Sequence, residues 1–260
     1  MAEGDSIVRM ARLIESAFDG REVEAATAPS PRSPLRAATG RLLSRRLLGT
    51  ETRGKHLLLN FDSGLTLHAH MGMVGGWYAY RPGQRWRKPR RSAWLILELD
   101  GQDTDRLELV EFGGPTLRLV RPGELARDSR LALLGPDILG GPESVAAAAS
   151  KVGAAGPVAL GEALLNQRLV CGIGNIFKSE ACFEAGLDPW RPVESFDRAE
   201  IEAVLAVAAT QMERGVKTGR RPGRVYRKGG RPCPACRNPV RSRGQGDDNR
   251  TTYWCPVCQV

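Results

Sequence analysis

The sequence predicts an α+β multidomain chain: an antiparallel β-sandwich or barrel behind one N-terminal helix, then a helical segment, then a small β-hairpin zinc finger. Three observations predict it. Apolar spacing changes from helical to alternating near residue 20. It returns to helical after Arg121-Pro122-Gly123. Four cysteines in two pairs, Cys233, Cys236, Cys255 and Cys258, then stand at metal-ligand spacing near the C-terminal end.

The elements follow in order. Residues 5–19 read as a helix: Asp5 is a candidate cap, and Ile7, Met10, Ala11, Ile14 and Phe18 share one face. In Leu65-Thr66-Leu67-His68-Ala69-His70-Met71 apolar and polar residues alternate, which predicts a half-buried strand. Lys55–Phe61 is its hairpin partner across the turn Asp62-Ser63-Gly64. Residues 93–99, 106–111 and 116–120 are further strands. The loop 81–91 holds six basic residues, no acid, and Trp86. It is either a phosphate contact or a solvated hairpin tip. Residues 158–170 and 176–185 read as helices flanking the turn Gly172-Ile173-Gly174-Asn175. A third runs over 196–214, capped by Ser195 and ended by Gly215. The Ala-rich stretch 145–155 is a helix or a variable loop.

Charge is placed unevenly. The 260 residues carry a net charge of +9, with 38 Lys+Arg against 29 Asp+Glu. Residues 215–260 hold eleven of the basic residues and only Asp247 and Asp248 as acids, while the first 214 residues balance. That is the footprint of a polyanion-binding module or of a solubilising basic tail. A composition with 42% hydrophobic residues excludes a disordered chain. No run of 18 apolar residues predicts a membrane span, and MAEGDSIV lacks the regions of a signal peptide. A cytosolic chain is expected.

Three motifs carry chemistry. Cys233-x2-Cys236-x18-Cys255-x2-Cys258 offers two thiolate pairs that satisfy one tetrahedral Zn²⁺; four thiolates leave no open position, so this zinc is structural. Cys171 and Cys182 lack partners at ligand spacing and are expected to be core thiols. Gly172-Ile173-Gly174-Asn175 opens a helix, where backbone N–H groups point at an approaching phosphate and Asn175 adds an amide. Alone it is weak, since a Gly-rich turn between helices is usually just a turn. Lastly, removal of Met1 would expose the α-amine of Ala2. Such an amine has a pKa of about 8 against about 10.4 for Lys, so part of it is neutral and nucleophilic near pH 7. Glu3 beside it can act as general acid/base.

In this order the motifs resemble the formamidopyrimidine-DNA glycosylase and endonuclease VIII family of base-excision repair enzymes, nearly end to end. The likeness is carried by Ala2-Glu3-Gly4-Asp5, Arg53-Gly54-Lys55-His56-Leu57 and His70-Met71-Gly72-Met73. It continues through Leu164–Ile176 and Arg250-Thr251-Thr252-Tyr253-Trp254-Cys255-Pro256-Val257-Cys258-Gln259. The Glu-Gly-Asp start looks like the endonuclease VIII branch, which prefers oxidised pyrimidines. The resemblance implies a catalytic β-sandwich domain (1–122), a helix-two-turn-helix domain (123–222) and a zinc finger (223–260), with damaged DNA in the cleft between halves. It also implies a monomeric protein of the bacterial cytoplasm, associated with the nucleoid, and it implies roles. The residue-2 amine attacks C1′ and forms a Schiff base, leading to β- or β,δ-elimination. Glu3 protonates the opening sugar. Lys55 contacts a phosphate beside the lesion and assists elimination. Asn175 and Arg250 hold phosphates flanking the extruded nucleotide, and Arg250 assists δ-elimination. Met73 fills the gap left by the flipped base.

Two departures stand out. The family normally has Pro at residue 2, a secondary amine that forms an iminium directly; Ala2 supplies a primary amine. Formamidopyrimidine enzymes usually carry an Arg near Val110-Glu111-Phe112-Gly113, where this chain has Glu111. The alternative to an active glycosylase/lyase is therefore a weakened or inactive binder of damaged or abasic DNA. A zinc-ribbon transcription factor or RNA binder would explain only the cysteines and the basic tail.

Overall fold

The computed structural model describes residues 2–18, 20–73, 75–100 and 106–260. Residues Met1 and Asp19, the latter the expected last residue of the first helix, lie outside that set. The described residues form two compact units: residues 2 and 6–132, and residues 3–5 with 133–260.

Helix α1 (Gly4–Phe18), which belongs to the first unit from Ser6 onward, is followed in that unit by eight strands: β1 (Val23–Thr27), β2 (Leu47–Arg53), β3 (His56–Phe61), β4 (Thr66–His70), β5 (Trp77–Tyr80), β6 (Leu95–Leu99), β7 (Leu107–Glu111) and β8 (Thr116–Val120). They make two antiparallel sheets, ordered β1-β6-β7-β5 and β2-β3-β4-β8. Inward side chains of both sheets meet in one core: Leu57, Leu59, Phe61 and Leu67 from one, Leu95, Leu97, Leu99 and Trp77 from the other. Ile7, Ala11, Ile14 and Phe18 of α1 complete it, so the helical spacing in the sequence marks the buried face. The β-sandwich is the expected one.

The alternation over residues 65–71 is only half right. Thr66 and His68, expected on a wet face, are 4% and 0% exposed. Two short helices, α2 (Pro122–Ala126) and α3 (Ser129–Ala132), follow β8. Arg118 on β8 pairs with Asp128 between these helices and donates through Nε to His68 Nδ1 at 3.2 Å. The polar face of β4 is thus buried by hydrogen bonding rather than hydrated.

The second unit holds α4 (Pro142–Gly153), α5 (Leu160–Leu165), α6 (Asn175–Ala185) and α7 (Arg198–Thr218), then a hairpin of β9 (Arg241–Gln245) and β10 (Arg250–Trp254). Its helical core gathers Phe177, Ala181 and Cys182 of α6 with Val204, Leu205, Ala208 and Met212 of α7. The Ala-rich stretch is helix α4. The helix expected over 158–170 stops at Leu165, because Gln167 turns its amide onto the backbone, donating to Leu165 O at 2.8 Å and Ile173 O at 3.1 Å.

Helix α7 corrects two expectations. Ser195 is not its cap: the Ser195 hydroxyl donates to Pro192 O, while Asp197 and Glu200 exchange side-chain and backbone bonds in a capping box, each at 2.8 Å. Gly215 does not end it either; Gly219, in the left-handed conformation, does. Gly215 lies inside the helix because the Asp5 carboxylate would be 3.0 Å from any Cβ there. Asp5 itself sits within α1 rather than capping it, and it receives the Arg221 guanidinium, Nε donating to Oδ2 at 2.7 Å.

Candidate functional site

The chain start is held by two different anchors. In the first unit, the Ala2 backbone nitrogen donates to Gly72 O at 3.1 Å. His56 faces His70 across the β3–β4 pair, so Lys55, just before β3, and Gly72-Met73, just after β4, stand at the same end of one sheet. Lys55 is half-buried and its charge is felt by His70; Met73 is 61% exposed. Sequence reasoning gave no role to the histidines, yet all three lie together here. Burial above all pushes His56 down to about 3 and His68 to about 4, so both are neutral at pH 7. Since His68 Nδ1 accepts from Arg118, its proton is on Nε2, and that N–H donates to His56 Nδ1 at 2.9 Å.

In the second unit, Glu3 is completely buried. Its carboxylate accepts the Ile176 N–H at 2.9 Å and the Phe177 N–H at 3.3 Å, the first free donors of α6. Glu3 is therefore the N-cap side chain of a helix 173 residues away, and the helix dipole favours its charge. This explains the glycines. The residue at the cap itself is Gly174, and a Cβ there would fall 2.3 Å from Glu3 Cδ. Gly4 donates to Gly172 O at 3.0 Å, an approach that a side chain at residue 4 would obstruct. Gln167 clamps the turn by accepting from Gly172 N at 3.1 Å. The Gly-Ile-Gly-Asn turn is shaped around the protein's own carboxylate.

Helix α6 also mounts the hairpin. Asn175 is 6% exposed and donates through Nδ2 to Thr251 O at 2.7 Å, while its Oδ1 is buried without a hydrogen-bond partner. Lys178 donates to Thr252 Oγ1. Glu180, fully buried, accepts the backbone N–H groups of Arg224, Val225 and Tyr226 at 2.7–2.9 Å. Three consecutive polar residues, Lys178, Ser179 and Glu180, are thus buried by specific partners, which no apolar periodicity could show. On the hairpin, Arg243 stacks over Trp190 with 3.8 Å from Cζ to the ring centroid. Arg241 is exposed and Arg250 half-buried, with Asp248 3.7 Å away.

The four hairpin cysteines converge. Their Sγ atoms all lie within 4.8 Å of one another, with 3.8 Å between Cys233 and Cys258 and 3.4 Å between Cys236 and Cys255. Thiolates arranged tetrahedrally at about 2.3 Å from one metal sit about 3.8 Å apart, so this donor set fits one ion. A disulfide would need about 2.05 Å. The four cysteines can bind a metal ion. Cys171 and Cys182 are both buried, Cys182 within the helical core, and burial pushes the Cys182 thiol up to about 12.

Two other sequence features resolve here. Glu111 is fully buried; burial pushes its carboxyl up to about 8, and its Oε2 accepts from Gly113 N at 3.0 Å. It points into the protein as a neutral acid. In the basic loop, Arg87, Lys88 and Arg90 lie over the rings of Tyr78, Phe112 and Trp86, and Arg90 pairs with Glu98 and Glu108. Part of that loop's charge is spent on its own sheet.

Comparison with known proteins follows the same division. Residues 1–113 match the formamidopyrimidine-DNA glycosylase N-terminal domain and residues 134–225 the formamidopyrimidine-DNA glycosylase H2TH domain. A probable endonuclease 8 2 of Streptomyces coelicolor is 38% identical over 100% of this chain and 94% of its own. The chain belongs to the formamidopyrimidine-DNA glycosylase and endonuclease VIII family. Membership makes it an enzyme of the DNA glycosylase and AP-lyase class. A Mycolicibacterium smegmatis protein named DNA-(apurinic or apyrimidinic site) lyase Nei2 is 30% identical over 100% of this chain and 99% of its own. The MutM (Fpg) crystal structure from Thermus thermophilus superposes with a TM-score of 0.80 at 27% identity, covering 99% of this chain and 98% of that one. No helix among the described residues is long and apolar enough to cross a membrane.

Proposed function

We propose that this chain excises oxidised bases, pyrimidines above all, from damaged DNA and cleaves the resulting abasic site through a Schiff base at Ala2. The observation that carries the reading is Glu3: a fully buried carboxylate fixed by two α6 N–H groups, directly after the residue whose amine would react. A general acid/base must be placed before chemistry, and a helix terminus places this one.

With Met1 removed, the Ala2 nitrogen lone pair attacks C1′, the glycosidic bond breaks and the base leaves with the bonding electrons. Glu3 delivers a proton to the sugar ring oxygen as the ring opens, and water is not consumed until the imine is hydrolysed. Loss of a C2′ proton then expels the 3′-phosphate in β-elimination; a second elimination releases the 5′-phosphate. A primary amine such as Ala2 forms a protonated imine that carries the same positive charge and the same electron sink.

Lys55, Asn175 and Arg250 hold phosphates around the extruded nucleotide. Met73, exposed and apolar, enters the space the base vacates, offsetting part of the few kcal/mol that unstacking costs. The four-cysteine site takes one structural Zn²⁺, which folds the hairpin that presents Arg241, Arg243 and Arg250. The assay is strand cleavage of duplexes carrying single oxidised pyrimidines, purines or an abasic site. Excision with cleavage, strongest on the pyrimidine lesions, is expected; inertness on all of them would overturn the reading.

One residue favours a second reading. Ala2 in place of the family's Pro fits a binder that recognises abasic DNA without cutting it. That protein would bind an abasic duplex tightly and leave it intact, and an Ala2→Pro change would create lyase activity.

A further inference from the structure

Loop 81–91 takes no part in the proposed chemistry, yet it gathers six Lys and Arg in eleven residues with no acid. It is also firmly built. Pro82 and Gly83, the latter at φ +77°, make its first turn, with Gln84 N donating to Arg81 O at 3.0 Å. Trp86 stacks on Tyr80, 5.4 Å between ring centroids, and donates through Nε1 to Glu108 Oε2 at 3.1 Å. Arg87 N donates to the Tyr80 hydroxyl at 3.2 Å. Ser92 N donates to Pro89 O at 2.9 Å and closes the loop.

The acids under the loop account for one of its cations. Glu98 and Glu108 stand opposite one another on β6 and β7, and Arg90 pairs with both, at 3.2 and 2.8 Å. Arg81, Arg85, Arg87 and Arg91 are exposed and have no carboxylate partner among the described residues. Arg87 lies over the Tyr78 ring, 5.7 Å from Cζ to the centroid. A guanidinium stacked by its face keeps its N–H donors at its edge, in the plane that suits a phosphate. A solubilising tip would let its like charges spread apart. Here two turns and a stacked tryptophan hold them close together, which favours a partner with several negative charges.

The place of the loop favours nucleic acid over an acidic protein. Lys88 lies over the Phe112 ring at 5.5 Å. Phe112 N donates to Gly76 O, and Gly75 N donates to Met71 O, each at 3.0 Å. The loop therefore rests on the same hydrogen-bonded strip of the first unit that carries Met73.

We propose that loop 81–91 is a second backbone contact for duplex DNA, binding phosphates outside the excision site through Arg85, Arg87 and their neighbours. The inference rests on the DNA-repair reading for the identity of the polyanion, but its observable is binding and needs no catalysis. Phosphate contacts release counterions and carry no sequence information, so the loop adds affinity and salt dependence alike on damaged and undamaged DNA.

The experiment measures Kd against salt for the full-length, metal-loaded protein, on an abasic duplex and on the same duplex undamaged. The test variant is Arg85→Gln with Arg87→Gln. The control is Arg36→Gln with Arg41→Gln, which removes the same charge from exposed positions elsewhere in the first unit. At about 0.1 M salt the loop variant raises Kd on both duplexes by about tenfold or more, and its salt slope falls by about two ions. The control moves the slope by less than about half an ion. Unmoved affinity and slope in the loop variant would overturn the proposal and leave the patch to an acidic protein or to solvent. An equal shift in the control would overturn it too, by showing that net charge acts and not the loop. A loss confined to the abasic duplex would place the loop at the lesion and contradict a second contact. If the unaltered protein binds the abasic duplex and cleaves nothing, the glycosylase reading fails, and the salt slopes still decide this one.

Discussion

The Glu3 carboxylate accepts the Ile176 backbone N–H at 2.9 Å, joining the chain start to the first turn of α6. One bond thus explains two motifs. The acid needs a helix terminus to hold it, and the helix needs a glycine at its cap to admit the acid.

Gly174→Ala tests that dependence. The added methyl would overlap Glu3 Cδ at 2.3 Å, so the carboxylate must leave and the Ile176 and Phe177 N–H groups lose their partner. A stability loss of about 1–3 kcal/mol is expected from the orphaned groups. Excision should fall much further, by about a hundredfold or more. Thermal denaturation and single-turnover excision read the two effects; a variant with normal turnover would show that Glu3 does not need this perch.

Glu111 predicts a pH slope. Its carboxyl is raised by burial from 4.5 to about 8, so the folded protein keeps a proton that the unfolded chain releases. The associated stability is complete below about pH 4.5 and is lost as pH rises towards 8. Glu111→Gln keeps the shape and removes the titration. Between pH 5 and 8 the variant's denaturation midpoint should therefore gain steadily on the unaltered protein's; parallel curves would mean that Glu111 does not titrate in this window.

The cysteine cluster predicts stoichiometry and function together. Elemental analysis should find one zinc per chain. Cys255 is 0% exposed, and Cys255→Ser nearly keeps its size while removing one thiolate. Chelation or that substitution should unfold the hairpin, raise Kd for abasic DNA by about tenfold or more and leave the sandwich folded. Full DNA affinity in a metal-free protein would remove the zinc finger from the account.

Arg250→Ala should weaken binding to every sequence alike and lower the salt slope by about one ion. The pair with Asp248, 3.7 Å apart with the Asp248 side chain 81% exposed, is worth little and does not compete with a phosphate. An unchanged slope in salt titrations of Kd would place Arg250 away from the backbone.

Much of this was legible in the residues. Apolar spacing marked the core faces of α1 and α7, and the change to alternating and short apolar runs marked five of the eight sandwich strands. The Cys-x2-Cys pairs gave the four-cysteine cluster outright, because ligand spacing is local. What was not legible depends on partners far along the chain. Thr66 and His68 look like a wet face until Asn60 accepts from the one and Arg118 donates to the other. Gly215 looks like a helix stop until Asp5 fills the space beside it. Lys178-Ser179-Glu180 looks like a solvated turn of helix, yet each of the three is held by the hairpin or the segment leading to it. Strands β1 and β2 were missed because Ala, Gly and alternating charges blur their pattern, and β5 because it is only four residues long.

The central claim is covalent, and borohydride trapping measures it most directly. The unaltered protein, with removal of Met1 verified by mass spectrometry, is incubated with an abasic or oxidised-pyrimidine duplex and reduced, and the adduct is digested and sequenced. One protein–DNA adduct is expected, attached at the nitrogen of Ala2 and abolished by Glu3→Gln on the base-containing duplex. No adduct, or an adduct on a lysine side chain, would contradict it.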